Sequence, residues 1–187
     1  MNNQRFRMGQ RLVLVLIMIL GLSLGGCVAT GVGLQSYVDA EDGYEFLYPN
    51  GWVPVEVRSG PDVVFRDLVE RSENVSLMMS PVPKDRLLQD LGDATEVGYR
   101  LSKSAIAPPD SGRVAELVSA ESRQAKGKTY YLLEYAVKLK EGGERHNFAS
   151  VAISRGKLFT FNLSTTERRW QKAQETFRQA VESFSVY

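Results

Sequence analysis

Two side chains in this sequence have no second copy: Cys27, the one thiol, and His146, the one imidazole. A lone cysteine excludes an internal disulfide and a thiolate zinc cluster, and a lone histidine excludes a multi-histidine metal centre. The same count removes most pairings of nucleophile and base, because a serine, cysteine or zinc hydrolase would rest on a single residue. Glu144 stands two positions before His146 and shares its face if both lie in a strand, so the pair offers a divalent ion such as zinc or manganese two ligands. A third would have to come from another strand or a neighbouring molecule. The plainer expectation for His146 is a surface position at a hairpin end. Arg168 and Arg169 open the last amphipathic segment, where a helix dipole disfavours positive charge, and so invite a partner's carboxylate or phosphate. No glycine-rich loop runs from a strand into a helix to cradle a phosphate. Carboxylate or lysine chemistry remains arithmetically possible.

What precedes Cys27 gives the thiol a role. Arg5, Arg7 and Arg11 form a basic stretch, followed by the apolar run Leu12–Leu24, too short to span a membrane that needs about 20 apolar residues. This is the layout of an export signal over residues 1–26. The run closes in Leu24-Gly25-Gly26-Cys27, which resembles the bacterial lipobox, whose cysteine receives a diacylglyceryl group before the signal is cut away. Two or more acyl chains give stable anchoring where one gives marginal binding. Residues 28–36 carry no charge and no helix period, and with Cys27 they are expected to form a lipid-anchored flexible tether spanning 27–36.

The formal charge of +1 comes from 23 basic and 22 acidic residues in a chain of 187. Three of the basic residues lie in the acid-free leader, so the remainder carries 20 against 22 and a net charge of −2. A nucleic-acid partner is not expected from such a balance. With 43% hydrophobic residues, the stretch from Tyr37 to Tyr187 can bury one core, and no internal repeat divides it.

The elements that must position these residues can be read from period and punctuation. Tyr44–Tyr48 alternates and stops at Pro49-Asn50-Gly51, after which Trp52–Glu56 resumes the strand. Val63–Val69 and Val75–Val82 read as a hairpin. Downstream, Arg113–Arg123, Lys128–Lys140, Arg145–Ser154 and Leu158–Ser164 are separated by Lys126-Gly127, Gly142-Gly143 and Gly156, an antiparallel meander. Lys128–Lys140 is apolar on both faces and reads as a central strand covered by helices on two sides. One helix is expected over Ala94–Ser104 behind the capping pair Asp93 and Glu96, a second over Glu167–Ser183 behind Ser164 and Glu167. In the second, Trp170, Ala173, Phe177, Val181 and Phe184 form one apolar stripe. The class is α+β.

The run Gly43-Tyr44-Glu45-Phe46-Leu47-Tyr48-Pro49-Asn50-Gly51-Trp52 resembles the opening of the PsbP family, the extrinsic proteins of photosystem II. The blocks Asp62–Leu68, Glu73–Leu77, Tyr130–Tyr135 and Trp170…Phe177…Ser183-Phe184 follow in that family's order, so the resemblance covers 37–187. A lipobox ahead of the domain is similar to the family's cyanobacterial lipoprotein form. The resemblance implies an α-β-α sandwich with a central antiparallel sheet flanked by helices. It also implies a lipid-anchored, non-enzymatic extrinsic subunit on the lumenal side of the thylakoid membrane, monomeric, with no catalytic residue and no required cofactor, whose partners are photosystem II core subunits or assembly intermediates. The short tether leaves no place for the long N-terminal extension of the plant protein, so support of the manganese–calcium–chloride centre is expected to be indirect. The alternative is a lumenal metal-binding lipoprotein.

Overall fold

The computed structural model describes residues 33–187. Ten strands and two helices follow in chain order: β1 (Leu34–Asp39), β2 (Tyr44–Pro49), β3 (Trp52–Pro54), β4 (Val63–Asp67), β5 (Asn74–Pro81), α1 (Ala94–Leu101), β6 (Val114–Ala125), β7 (Lys128–Lys138), β8 (Glu144–Ser154), β9 (Lys157–Thr166), α2 (Glu167–Ser183) and β10 (Ser185–Val186). Seven strands form one antiparallel sheet in the order β3-β4-β5-β9-β8-β7-β6, and β1-β2-β10 form a second, small sheet. This is the expected α+β sandwich. No helix among the described residues is long and apolar enough to cross a membrane.

Strict alternation in the strands decides which layer each face meets. In β9, Phe159, Phe161 and Leu163 point into one core with Phe148 of β8, Val75 and Leu77 of β5, and Phe177, Ala180 and Val181 of α2. The small sheet closes that core through Tyr44 and Phe46, whose rings pack against Phe159 and Phe161 at centroid distances of 6.0 and 4.5 Å. On the opposite face, Tyr131, Leu133, Tyr135, Ala149 and Val151 meet Val97 of α1 and Ile106. Gly98 lets α1 approach closely, since a Cβ there would stand 2.8 Å from the Leu117 side chain. Tyr135 donates its hydroxyl to the Gly98 carbonyl across the same contact (3.0 Å).

Four expectations change. β7 does carry core on both faces, but it lies next to the sheet edge, and β9 holds the middle. β2 and β3 belong to different sheets, so Trp52 does not resume the strand that ends at Pro49. The first strand begins at Leu34, inside the stretch read as tether, because its backbone pairs with β2 from Leu34↔Pro49 to Asp39↔Tyr44. Ser164 does not cap α2: β9 continues to Thr166, which pairs with Arg145, and Thr166 becomes the residue before the helix. The other capping box forms as read, with the Asp93 carboxylate accepting from the Glu96 amide (2.8 Å) and Glu96 accepting from the Asp93 amide (3.2 Å). The helix it opens gives way after Leu101 to a wider π turn over Ser102–Ile106.

Candidate functional site

Cys27 lies outside the described residues. The other sequence-singled residues gather where the start of α2 crosses the ends of β7 and β8. His146 belongs to β8 and is 5% exposed, so it is a core residue and not the surface histidine expected. Its partners are not Glu144. Nε2 faces the Glu134 carboxylate at 2.7 Å and Nδ1 faces the Glu167 carboxylate at 2.9 Å. The ring thus bridges a carboxylate of the sheet and a carboxylate of the helix. Trp170 lies flat over the imidazole.

The sheet explains why these groups meet. Ala136 stands directly opposite His146 across the β7–β8 ladder and its small side chain leaves room for the ring. Glu134, two residues earlier on the same face of β7, then reaches the ring diagonally. Its other oxygen accepts from Ser119 of β6 (3.1 Å). Glu167, the first residue of α2, covers the remaining nitrogen instead of taking part in a capping box.

The two arginines that open α2, Arg168 and Arg169, part company. Arg169 turns to Glu73, donating from Nε at 2.5 Å, and this hydrogen bond, then the carboxylate's charge, raises the guanidinium's already high pKa. Glu73 is 4% exposed and also accepts from the buried Thr165 hydroxyl (2.6 Å). Arg168 stays exposed and lines an open hollow of about 880 Å³ with Gly143, Glu144, Thr166, Glu167 and Gln171. Arg168 and Glu144 therefore share one surface, Arg169 serves the fold, and His146 sits behind Glu167.

Among the described residues, one group of carboxylates has oxygens close enough to share a cation, within 4.8 Å of one another: Asp39, Asp42 and Asp62. All three are already engaged, Asp39 by the Asp42 amide (2.8 Å), Asp42 by the Lys157 ammonium and Asp62 by the Tyr44 hydroxyl. Burial, then the bond to Asp62, pushes the Tyr44 phenol above its ordinary range. Sequence reasoning missed Glu134, although an acid inside the run Tyr130–Val137 was the signal: a carboxylate on a core-facing position needs a donor.

Comparison with known proteins follows the same residues. The PsbP family model matches residues 32–186. The chain is 49% identical to CyanoP of Thermosynechococcus vestitus over 182 residues, covering 95% of this chain and 99% of that one. It is 48% identical to CyanoP of Synechocystis over 179 residues, covering 94% and 95%. The solution structure of Synechocystis CyanoP superposes with a TM-score of 0.72 at 50% identity, covering 88% of this chain and 99% of that one. The match to the family model spans nearly all of the described domain, and the aromatic strand β2, the hairpin β4–β5 and the closing helix stand in the expected order: the chain belongs to the PsbP family.

Proposed function

We propose that this protein is a lipid-anchored extrinsic protein of photosystem II, held on the lumenal side of the thylakoid membrane by Cys27, where it assists assembly or stability without catalysing a reaction. The observation that carries the reading is the near full-length identity of 49% to CyanoP in a chain whose leader ends in Leu24-Gly25-Gly26-Cys27. The geometry supports an interaction role: the imidazole suited to proton transfer is enclosed by two carboxylates and an indole, while Glu144 and Arg168 remain on the surface. Membrane confinement supplies the encounter rate that a net charge of −2 in the mature chain does not. Its partners are core subunits or assembly intermediates, and any effect on the manganese–calcium–chloride centre is indirect. The test is fatty-acid labelling in the producing cell followed by affinity purification. Label on the native protein, none on Cys27→Ser, and recovery of photosystem II core subunits are expected. Label retained by Cys27→Ser would overturn the anchor, and absence of those subunits from the native purification would overturn the partner.

The alternative of a lumenal zinc- or manganese-binding lipoprotein draws on Asp39, Asp42 and Asp62. Three hard oxygen donors suit manganese better than zinc, and Lys157 and Tyr44 compete for two of them. Calorimetric titration with manganese separates the readings: saturable heat that Asp42→Asn abolishes favours the alternative.

A further inference from the structure

The α2 face of the large sheet is covered along most of its width by α2 and the small sheet. Among the described residues, the opposite face is not. There α1 packs on β6 and β7, and the neighbouring strands β8, β9 and β5 turn polar side chains outward over their adjacent ends. The pairing register sets Asn74 beside Ser164 and Ser164 beside Asn147, and in the next row Ser76 beside Asn162. These side chains line a hollow of about 470 Å³, walled by Ala105, Ile106 and Leu139 and rimmed by Arg71, Arg113 and Arg145. The π turn carries Ala105 and Ile106 to that wall.

The charge in the hollow is all of one sign. No Asp or Glu lines it, and among the described residues none of the three arginines forms an ion pair. Arg145 is the most telling. It is half-buried at the end of β8, and its Nε and Nη2 donate to neutral oxygens, the Ser164 hydroxyl (3.0 and 2.8 Å) and the Ser72 carbonyl (2.5 Å). Burial, then the nearby Arg113 cation, disfavours its charged form, while Glu73 and Glu70 offset this only from a distance. A guanidinium withdrawn from water among neutral acceptors and beside a second cation lacks the anion that such a site ordinarily holds.

We propose that this arginine-rimmed hollow on the α1 face is the docking site for an acidic peptide segment of a protein partner, whose carboxylates are taken by Arg71, Arg113 and Arg145. Three separated guanidinium groups fit several carboxylates better than one small ion. The asparagine amides on the floor match peptide N–H and C=O groups, and the volume falls in the range that encloses a ligand well beyond a single anion. That the segment belongs to a protein partner rests on the proposed function; the charge argument does not.

The experiment is a side-chain NMR titration of the protein produced from the full chain, following the amides of Asn147 and Asn162. The probes are an acetylated, amidated glutamate hexapeptide, its glutamine counterpart and inorganic phosphate, all at one ionic strength. The glutamate peptide is expected to shift both amides saturably, at least tenfold more tightly than either other probe. Arg71→Gln combined with Arg113→Gln, two exposed positions whose guanidinium groups donate no hydrogen bond among the described residues, should weaken it tenfold or more. Arg168→Gln on the other face should leave it within twofold. Arg145→Gln is read only if its spectrum stays folded, since Arg145 also ties Ser72 to Ser164. Equal binding of phosphate, or equal loss in Arg168→Gln, would overturn the peptide assignment, as would absence of any shift. None of these results depends on recovering photosystem II, so failure here leaves the functional reading to its own test.

Discussion

The imidazole of His146 and the indole of Trp170 stack with centroids 3.8 Å apart and planes 10° from parallel. One ring comes from the sheet and the other from the first turn of α2, so the contact fixes where the helix begins over β8. Trp170 also meets Phe148 and Phe177 edge-on. The indole thus joins a polar pair to the apolar core below it.

Trp170→Ala removes all three aromatic contacts and uncovers the His146 ring. Because the indole is partly exposed, the expected loss is about 3 kcal/mol, the lower end for a large aromatic. A denaturant midpoint equal to the parent's would show that α2 is held without it.

Glu73 and Arg169 make an asymmetric pair, the carboxylate buried and the guanidinium 47% exposed. Arg169→Gln should cost under about 1 kcal/mol because water screens that side. Glu73→Ala should cost about 2–3 kcal/mol, since the Thr165 hydroxyl, wholly buried, loses its acceptor. Equal losses for the two variants by urea denaturation would contradict this assignment.

Gly43 adopts φ +79°, and a Cβ there would stand 2.7 Å from the Arg155 guanidinium and 2.9 Å from the Tyr187 carbonyl oxygen. The Gly43 carbonyl also accepts from the Tyr187 amide at 2.9 Å, next to β10. Gly43→Ala is expected to destabilise by at least ~1 kcal/mol from the backbone conformation alone and to speed hydrogen exchange at Tyr187 before the core exchanges. Unchanged protection at Tyr187 would remove the turn from this role.

Alkaline stability follows from Tyr44 and Tyr135, both fully buried and both pushed above the ordinary phenol range, first of all by burial. Above pH about 10 the unfolded chain releases these protons while the folded chain keeps them. The unfolded state then binds fewer protons and stability falls as pH rises, by up to about 1.4 kcal/mol per pH unit for each tyrosine. Their contribution is whole below the unfolded value and is lost toward the raised folded value. Tyr135→Phe should flatten the decline by about one proton's worth in denaturation at pH 10–11. An unchanged slope would show that Tyr135 does not contribute.

The meander β6–β9 was legible in the sequence because glycine-bearing turns punctuate long alternating runs, and the stripe of α2 because Trp170, Phe177 and Val181 keep a helical period. β1 was hidden because its apolar residues, Leu34, Tyr37 and Val38, keep no strict alternation, and the strand gains its identity only by pairing with β2. Ser164 carried a capping signal that the β8–β9 ladder overrode, drawing its hydroxyl to Asn147. Of the candidate site, the residue types were readable and the partners were not. Glu134 and Glu167 reach His146 across the sheet and from a helix start, distances along the chain that no local pattern spans. The polar floor was written in the alternation Asn162, Ser164 against Phe161, Leu163, but only the short reach of α1 shows that this face stays open among the described residues.

The central claim is that the lipid on Cys27 brings the domain to photosystem II. Its most direct measurement is the yield of core subunits co-purified with the native protein and with Cys27→Ser, at equal lumenal abundance and after both are shown to fold alike. The account predicts severalfold lower recovery with Cys27→Ser, the residual binding coming from the domain surface alone. Equal recovery would contradict it.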